Sequence, residues 1–335
     1  MPLPILEVFA GRVLDRLPFW EVWYGMSGLT QRLLGRQAET PYDLCDLAQI
    51  LGWDAICAGG VDINAPGGDS RPASDGTAHY VPRGIEALAD LGDRHMPDQA
   101  PALSRTRAAV AAAHSRGIAA VLYLPWCFHT ITTAVGLEAL AIAVYEDRKR
   151  LHEAFEWVEE RTRRAIEEVA IPSGVDFVLF DGDCAFKTGL MVRPDVFRDL
   201  VFERTAKTVA MLKEAGIPYA LHSDGRLDDL MPVLIELGFA AVHGIEAQAN
   251  DLADIKAHFG QQITLIGNMD VVDLTHASPS EVREMTLRML RTGAPGGRYV
   301  AACNTSPLDY IPQVNYLTFA ETIRQFRLFP PVKRT

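Results

Sequence analysis

The stretch YALHSDGRLDDL, residues 219–230, sets His222 and Asp224 two residues apart where a short apolar run gives way to a helical pattern. Far downstream, a similar run in RYVAACN ends at Cys303. One imidazole nitrogen, one carboxylate oxygen and one thiolate sulfur would supply three zinc ligands and leave a fourth position open, which is what catalytic zinc requires. Other short apolar runs end in groups of the same kind: Glu21 and Tyr24; Trp126, Cys127 and His129; Asp181 and Asp183; Glu246; Asn268 and Asp270. Asp181, Asp183 and His222 also compose a metal-free alternative, general acid–base work on a small substrate. Each group has a structural reading beside the chemical one. The carboxylates could cap helices or tie loops, His222 could be a hydrogen-bonded core histidine, and Cys303 a small buried apolar residue. Cys57, Cys127 and Cys184 read as packing.

The elements that must position these groups follow a repeated pattern. A helix-like stretch ends near a glycine, a short apolar or β-branched run follows, and polar or small residues come next. This occurs at 50–62, 115–129, 172–183, 214–225, 236–247, 258–270 and 294–306, with a weaker instance at 17–25. The glycine suits a helix C-cap and the run a strand buried on both faces. Between the runs, 193–216 reads as a helix started by Pro194 with Phe197, Leu200, Val201, Val209 and Leu212 near one face. Residues 278–293 read as another, with Ser278 and Glu281 forming a capping box, and 135–171 as a long helical stretch. Residues 60–100, rich in Gly, Pro and Asp, read as a loop excursion over one end.

Eight strands alternating with helices is the count of a (β/α)8 barrel. A doubly wound open sheet is the runner-up, but it would want a GxGxxG turn, and none is present. No linker divides the chain, so the expectation is one domain over 1–335. In such barrels the chemistry lies at the C-terminal strand ends, where the groups above fall.

Of the 335 residues, 48% are apolar and 22% charged, with a formal net charge of −11. That balance speaks against a nucleic-acid surface. No apolar run approaches the roughly 20 residues of a membrane span, and the N-terminus lacks the form of a signal peptide. Five scattered cysteines without a CxxC pair read as reduced thiols of a cytoplasmic protein.

Three segments carry a resemblance to a known family. GIPYALHSDGRLDDLMPVLIELGFAAVHGIEA, DIKAHFGQQITLIGNMDV and GGRYVAACNTSPLDYIPQVNY resemble, in order, the C-terminal half of the uroporphyrinogen decarboxylase superfamily. FVLFDGDCAFKTGLMVRPDVFRDLVFERTAK resembles its middle segment and DRLPFWEVWYG its start. The resemblance implies a (β/α)8 barrel and one of two chemistries: cofactor-free tetrapyrrole decarboxylation, or zinc-assisted methyl transfer to or from a cobamide on a partner protein. A polycarboxylate substrate needs arginine forks. The stretch matching the decarboxylases' Arg-rich opening, EVWYGMSGLTQR, has no arginine before Arg32, and only Lys187 and Arg226 lie near the acidic strand ends. The methyltransferase branch is therefore expected, with a metal-independent decarboxylase or lyase acting on a small substrate as the alternative.

In that branch zinc is held by His-x-Cys and a distant Cys. The resemblance carries His222 and Cys303 over as ligands and puts Asp224 where the family has the middle cysteine. Asp181, Asp183 and Glu246 are the expected catalytic groups, with Glu246 or Asp181 able to fill the fourth position or orient His222. Glu21, Tyr24, Trp126 and Asn268 are the expected substrate contacts. Trp23, Tyr24, Trp126 and Phe128 would wall a pocket suited to an aromatic methoxy or otherwise apolar methyl donor. No cobamide-binding DxHxxG occurs, so the corrinoid would arrive on a separate protein. A small-molecule methyl donor or acceptor completes the expected partners, with a homodimer left open.

Overall fold

The computed structural model describes residues 2–67, 69–72 and 78–328. Seven parallel strands form one curled sheet: β1 (Ala55–Gly60), β2 (Ala119–Pro125), β3 (Phe177–Asp181), β4 (Tyr219–His222), β5 (Ala241–His243), β6 (Thr264–Met269) and β7 (Tyr299–Cys303). Each pairs with its neighbour in chain order. The expected eighth strand at 17–25 is reduced to a short bridge between the two edges. Trp20 N–H donates to the Ala301 carbonyl at 3.1 Å, Ala301 N–H to the Pro18 carbonyl at 3.0 Å, and Asp54 N–H to the Phe19 carbonyl at 2.7 Å. Pro18 has no N–H to offer, which helps keep this segment short. The architecture is that of a (β/α)8-type barrel.

Strand alternation sorts the side chains. Ala55, Ala119, Val121, Phe177, Leu179, Ala220, Ala241, Ile266, Val300 and Ala302 point to the barrel axis with Trp20 and Val22, while a larger cluster packs sheet against helices. The four alanines of β1, β2, β4 and β5 leave room for Phe177, which meets Trp20 edge-on at 5.2 Å and Phe9 at 5.1 Å. Phe9 belongs to the short helix Pro4–Phe9, which joins this inner cluster.

The Ser278–Glu281 capping box is present at the start of helix Pro279–Gly293. The stretch 135–171 divides into Leu137–Glu146 and Arg148–Ala165, the latter running on through a π turn at Ile166–Ala170. Pro194 opens a helical run that carries a π turn at Arg198–Phe202 and ends at Glu214. The described residues of the 60–100 excursion form regular elements that its composition does not suggest. Asp69–Pro72 pairs antiparallel with Ala78–Val81, and 3₁₀ turns follow at Gly84–Leu88 and Leu91–Asp93. Arg83 N–H donates to the Ala134 carbonyl at 2.9 Å and Trp157 Nε1–H to the Leu91 carbonyl at 2.8 Å, tying it to helices that follow β2. Among the described residues no single helix is long and apolar enough to cross a membrane.

Candidate metal centre at the strand ends

β3, β4 and β5 stand side by side, so their C-terminal ends converge. Register pairs Asp181 with His222 and His222 with His243. His222 lies with Nε2 3.6 Å from Asp183 Oδ1 and 4.0 Å from Asp224 Oδ1. One potential ligand atom from each of Asp183, His222 and Asp224 lies within 4.8 Å of the others.

The turn after β4 is held from three sides. Asp224 N–H donates to Asp183 Oδ1 at 2.9 Å, Gly225 N–H to Glu246 Oε2 at 2.8 Å, and Asn250 Nδ2–H to the Gly225 carbonyl at 2.8 Å. Gly225 has φ +90°, and a Cβ there would strike the Ala185 backbone. This position admits only glycine. Asp183 is anchored in turn by its N–H, which donates to His129 Nδ1 at 3.3 Å.

Burial and crowding set the protonation. His222 is 5% exposed, and burial, helped by His129, pushes it down to about 3, so it is neutral. Burial raises Asp224 to about 8, reinforced by the carboxylates of Asp183, Glu246, Asp181 and Asp270. Burial also raises Asp181, which His129 pulls down and Asp183 pushes up. Among the described residues no Lys or Arg pairs with any of these five acids. Asp224 Oδ1 is buried without a hydrogen-bond partner. A negative well with an unsatisfied oxygen and a neutral imidazole suits a cation.

Cys303, the expected third ligand, is not in this group. Its N–H donates to Glu21 Oε2 at 3.1 Å, and Tyr316 Oη–H donates to Glu21 Oε1 at 3.2 Å. Burial, then Glu21, holds the Cys303 thiol well above its ordinary range, and burial raises Glu21 to about 8. Asp183, expected as a catalytic group, takes the third place beside His222 and Asp224. Trp126, expected against substrate, is a core residue: it is fully buried, donates from Nε1 to Thr205 Oγ1 at 3.0 Å and packs on Phe197. Phe128 is likewise fully buried, against Phe155 and Phe197. Thr205 shares Glu159 with Thr208 beneath them, which fills the space with a satisfied network.

Glu21, Trp23 and Tyr24 do line a cavity of about 330 Å³, together with Trp53, Cys57 and Leu308. The Tyr24 hydroxyl is buried without a partner. Trp23 joins the two regions, because it also meets the His222 ring edge-on at 4.5 Å. Asn268 lies elsewhere, at a cavity of about 270 Å³ with Asp251, Asp270 and Arg288. Glu246 acts through the Gly225 backbone rather than by facing His222 directly. His243 was not foreseen. It lies 2.7 Å, Nδ1 to Nδ1, from His222, and its Nε2 is 3.0 Å from the Cys303 carbonyl. The signal was there: YALH and AAVH are adjacent strands that both end in histidine.

A family model described as uroporphyrinogen decarboxylase (URO-D) matches residues 57–326. Among solved structures, a methyltransferase from Methanosarcina mazei is similar with a TM-score of 0.70 at 16% identity, over 96% of this chain and 98% of that one. The structure of ZgEngAGH5_4 in complex with a cellotriose gives 0.50 at 12% identity, over 96% and 98%. At these identities the likeness speaks to the fold. A search of curated proteins finds no match.

Proposed function

The chain belongs to the uroporphyrinogen decarboxylase family, and from that premise we propose that it is a methyltransferase of the family's corrinoid-linked kind. It would move a methyl group between a small substrate, an aromatic methoxy compound being the expected class, and a cobamide on a separate corrinoid protein. Zinc would be held by Asp183, His222 and Asp224. The observation that carries this reading is the cluster itself, with its orphaned, buried Asp224 Oδ1.

The donor set fits the ion. One neutral imidazole and two carboxylates balance a divalent charge and belong to the ligand types of catalytic zinc. The Asp183 and Asp224 side chains are 35% and 33% exposed, so a fourth position is reachable from solvent. Zinc bound there would supply Lewis acidity toward a substrate oxygen or thiol, easing methyl departure or arrival. Asp224 would give up its proton on ligation. Glu246 and Asn250 would hold the Gly225 turn so that Asp224 cannot swing away. Trp23 would shield His222 from water and wall the cavity in which the apolar part of the substrate sits. The free Tyr24 hydroxyl would donate to a polar substrate atom. Among the described residues the cavity's lining includes no Lys or Arg, which disfavours a polyanionic tetrapyrrole.

A second reading uses the same groups without metal. The Asp224 carboxyl, raised to about 8, would act as acid, with Asp181 or Asp183 as base and neutral His222 as a hydrogen-bonding partner, in a lyase. Metal analysis separates the two. Protein purified without chelator should hold about one zinc per chain and methylate Co(I) cobalamin from a methoxyarene. Metal-free protein that still turns over its substrate would end the zinc reading.

A further inference from the structure

We infer that His243, outside the ligand set, is the positioning residue that holds His222 in the tautomer with Nδ1 protonated and a bare Nε2 facing Asp183 and Asp224. The consequence for metal affinity rests on the zinc reading above; the tautomer does not.

The assignment follows from the hydrogen-bond network. His243 Nε2 lies 3.0 Å from the Cys303 carbonyl oxygen. A carbonyl only accepts, so His243 Nε2 carries the proton. The His243 ring is 1% exposed, and its two nitrogens face a carbonyl and another imidazole with no carboxylate to balance a second proton, which leaves the lone pair on Nδ1. That atom stands 2.7 Å from His222 Nδ1. Two bare nitrogens repel at such a distance, so His222 Nδ1 carries a proton and donates it. The oxygens nearest His222 Nε2 stand at 3.6 and 4.0 Å, too far to accept a hydrogen bond, so among the described residues a proton there would have no partner and Nε2 is bare toward both carboxylates. The site thus presents imidazole nitrogen in the form a metal accepts.

The backbone enforces this contact. Parallel register sets His222 beside His243, and Ser223 N–H donates to the His243 carbonyl at 3.1 Å. Gly244, with φ +95°, follows, and a Cβ there would strike the Ser223 carbonyl. Trp23 lies edge-on to His222 with ring centroids 4.5 Å apart, which hinders a ring flip. The far end is equally fixed, since Cys303 N–H is held by Glu21 and Glu21 by Tyr316. The tautomer of His222 is therefore set by His243 on β5 and, behind it, by the Cys303 carbonyl on β7, neither of which belongs to the proposed ligand set.

Long-range ¹⁵N–¹H correlation spectra of metal-free, ¹⁵N-histidine-labelled protein near neutral pH test this directly. His222 should appear as the Nδ1–H tautomer and His243 as the Nε2–H tautomer. A protonated Nε2 on His222 would overturn the inference. The measurement needs no metal, so wild-type protein that binds no zinc would defeat the zinc reading while leaving this result in place. His243→Phe keeps a ring and removes both bonds. It should shift His222 toward Nε2–H and weaken zinc binding about 10–100-fold. His243→Gln, whose amide offers one acceptor and one donor, should recover part of that loss. A folded His243→Phe with the wild-type His222 tautomer and zinc affinity would also overturn the inference. Should His243→Phe fail to fold, the wild-type spectrum decides.

Discussion

Two polar clusters sit at the top of the barrel and differ in one respect. Asp183, His222 and Asp224 form one; Glu21, Cys303 and Tyr316 form the other. Each contains a carboxyl that burial raises to about 8, Asp224 in the first and Glu21 in the second. Both Glu21 oxygens accept hydrogen bonds, from Cys303 N–H and the Tyr316 hydroxyl. Asp224 Oδ1 is buried and accepts none. Buried polar groups are normally satisfied, so an unsatisfied one calls for an explanation, while a completed network stiffens its surroundings. The closed cluster ties β7 to the segment that closes the sheet. The open one has the composition of a site that a cation completes. Ligand-type residues occur in both, so residue type alone could not separate them.

The sharpest way to break this comparison is to remove a residue of the proposed zinc site. His222→Ala or Asp183→Ala should lower zinc affinity by more than the roughly 10–100-fold typical of outer-shell changes, with the barrel still folded. Cys303→Ser should keep zinc at wild-type stoichiometry and instead lose about 1–3 kcal/mol of stability, because a hydroxyl replaces a buried thiol. Metal content by elemental analysis and denaturant midpoints read both effects. If Cys303→Ser sheds the metal and Asp183→Ala keeps it, the two clusters have been assigned the wrong way round.

Changes confined to stability sharpen the closed side. Trp126→Ala removes a fully buried indole and should cost about 3–5 kcal/mol, leaving zinc and substrate affinity unchanged. Glu21→Ala strands the Cys303 N–H and the Tyr316 hydroxyl, at about 1–3 kcal/mol for each buried donor left unpaired. Urea unfolding paired with ligand titration checks both. A weakened ligand in folded Trp126→Ala would return that residue to the site.

How far the sequence could be read follows the same division. The parallel barrel was legible because a helix–glycine–strand pattern recurs along the chain, and parallel strands buried on both faces read as short apolar runs. Only the segment at Pro18–Trp20 fell short of a full strand. At the site, His222, Asp224 and Asp183 were legible as strand-end groups. The third partner of His222 and Asp224 was not, because it depends on neighbours in space. Asp183 is one strand away, in the turn just after β3, whereas Cys303 is three strands away, at the end of β7. Trp126 precedes a helix whose Phe128 turns into the core, and local pattern does not say which way a strand-end side chain turns. His243 was hidden because its role exists only through its contact with His222.

The gentlest perturbation is a change of pH, and it distinguishes the clusters without disturbing packing. Glu21 and Asp224 both titrate higher folded, near 8, than their ordinary values of 4.5 and 3.8. Between roughly pH 4 and 8 the metal-free folded chain therefore holds protons that the unfolded chain has released. Stability contributed by these groups is complete at the acid end and declines as pH rises through 8, by at most about 1.4 kcal/mol per pH unit for each group. The share of Asp224 is smaller, because its side chain is one-third exposed. Zinc separates the two. Ligation as proposed would require Asp224 ionised, so zinc binding should expel a proton below pH 8 and tighten by up to about tenfold per pH unit toward that value. Glu21 does not take part. Asp224→Asn should flatten its share of the metal-free decline and abolish the pH dependence of zinc affinity. Glu21→Gln should flatten its own share of the decline while zinc affinity keeps its pH dependence. Thermal midpoints and zinc titrations from pH 5 to 8 would show this. Identical behaviour of the two variants would mean that the open and closed clusters titrate as one, and that the difference between them is not the one that matters.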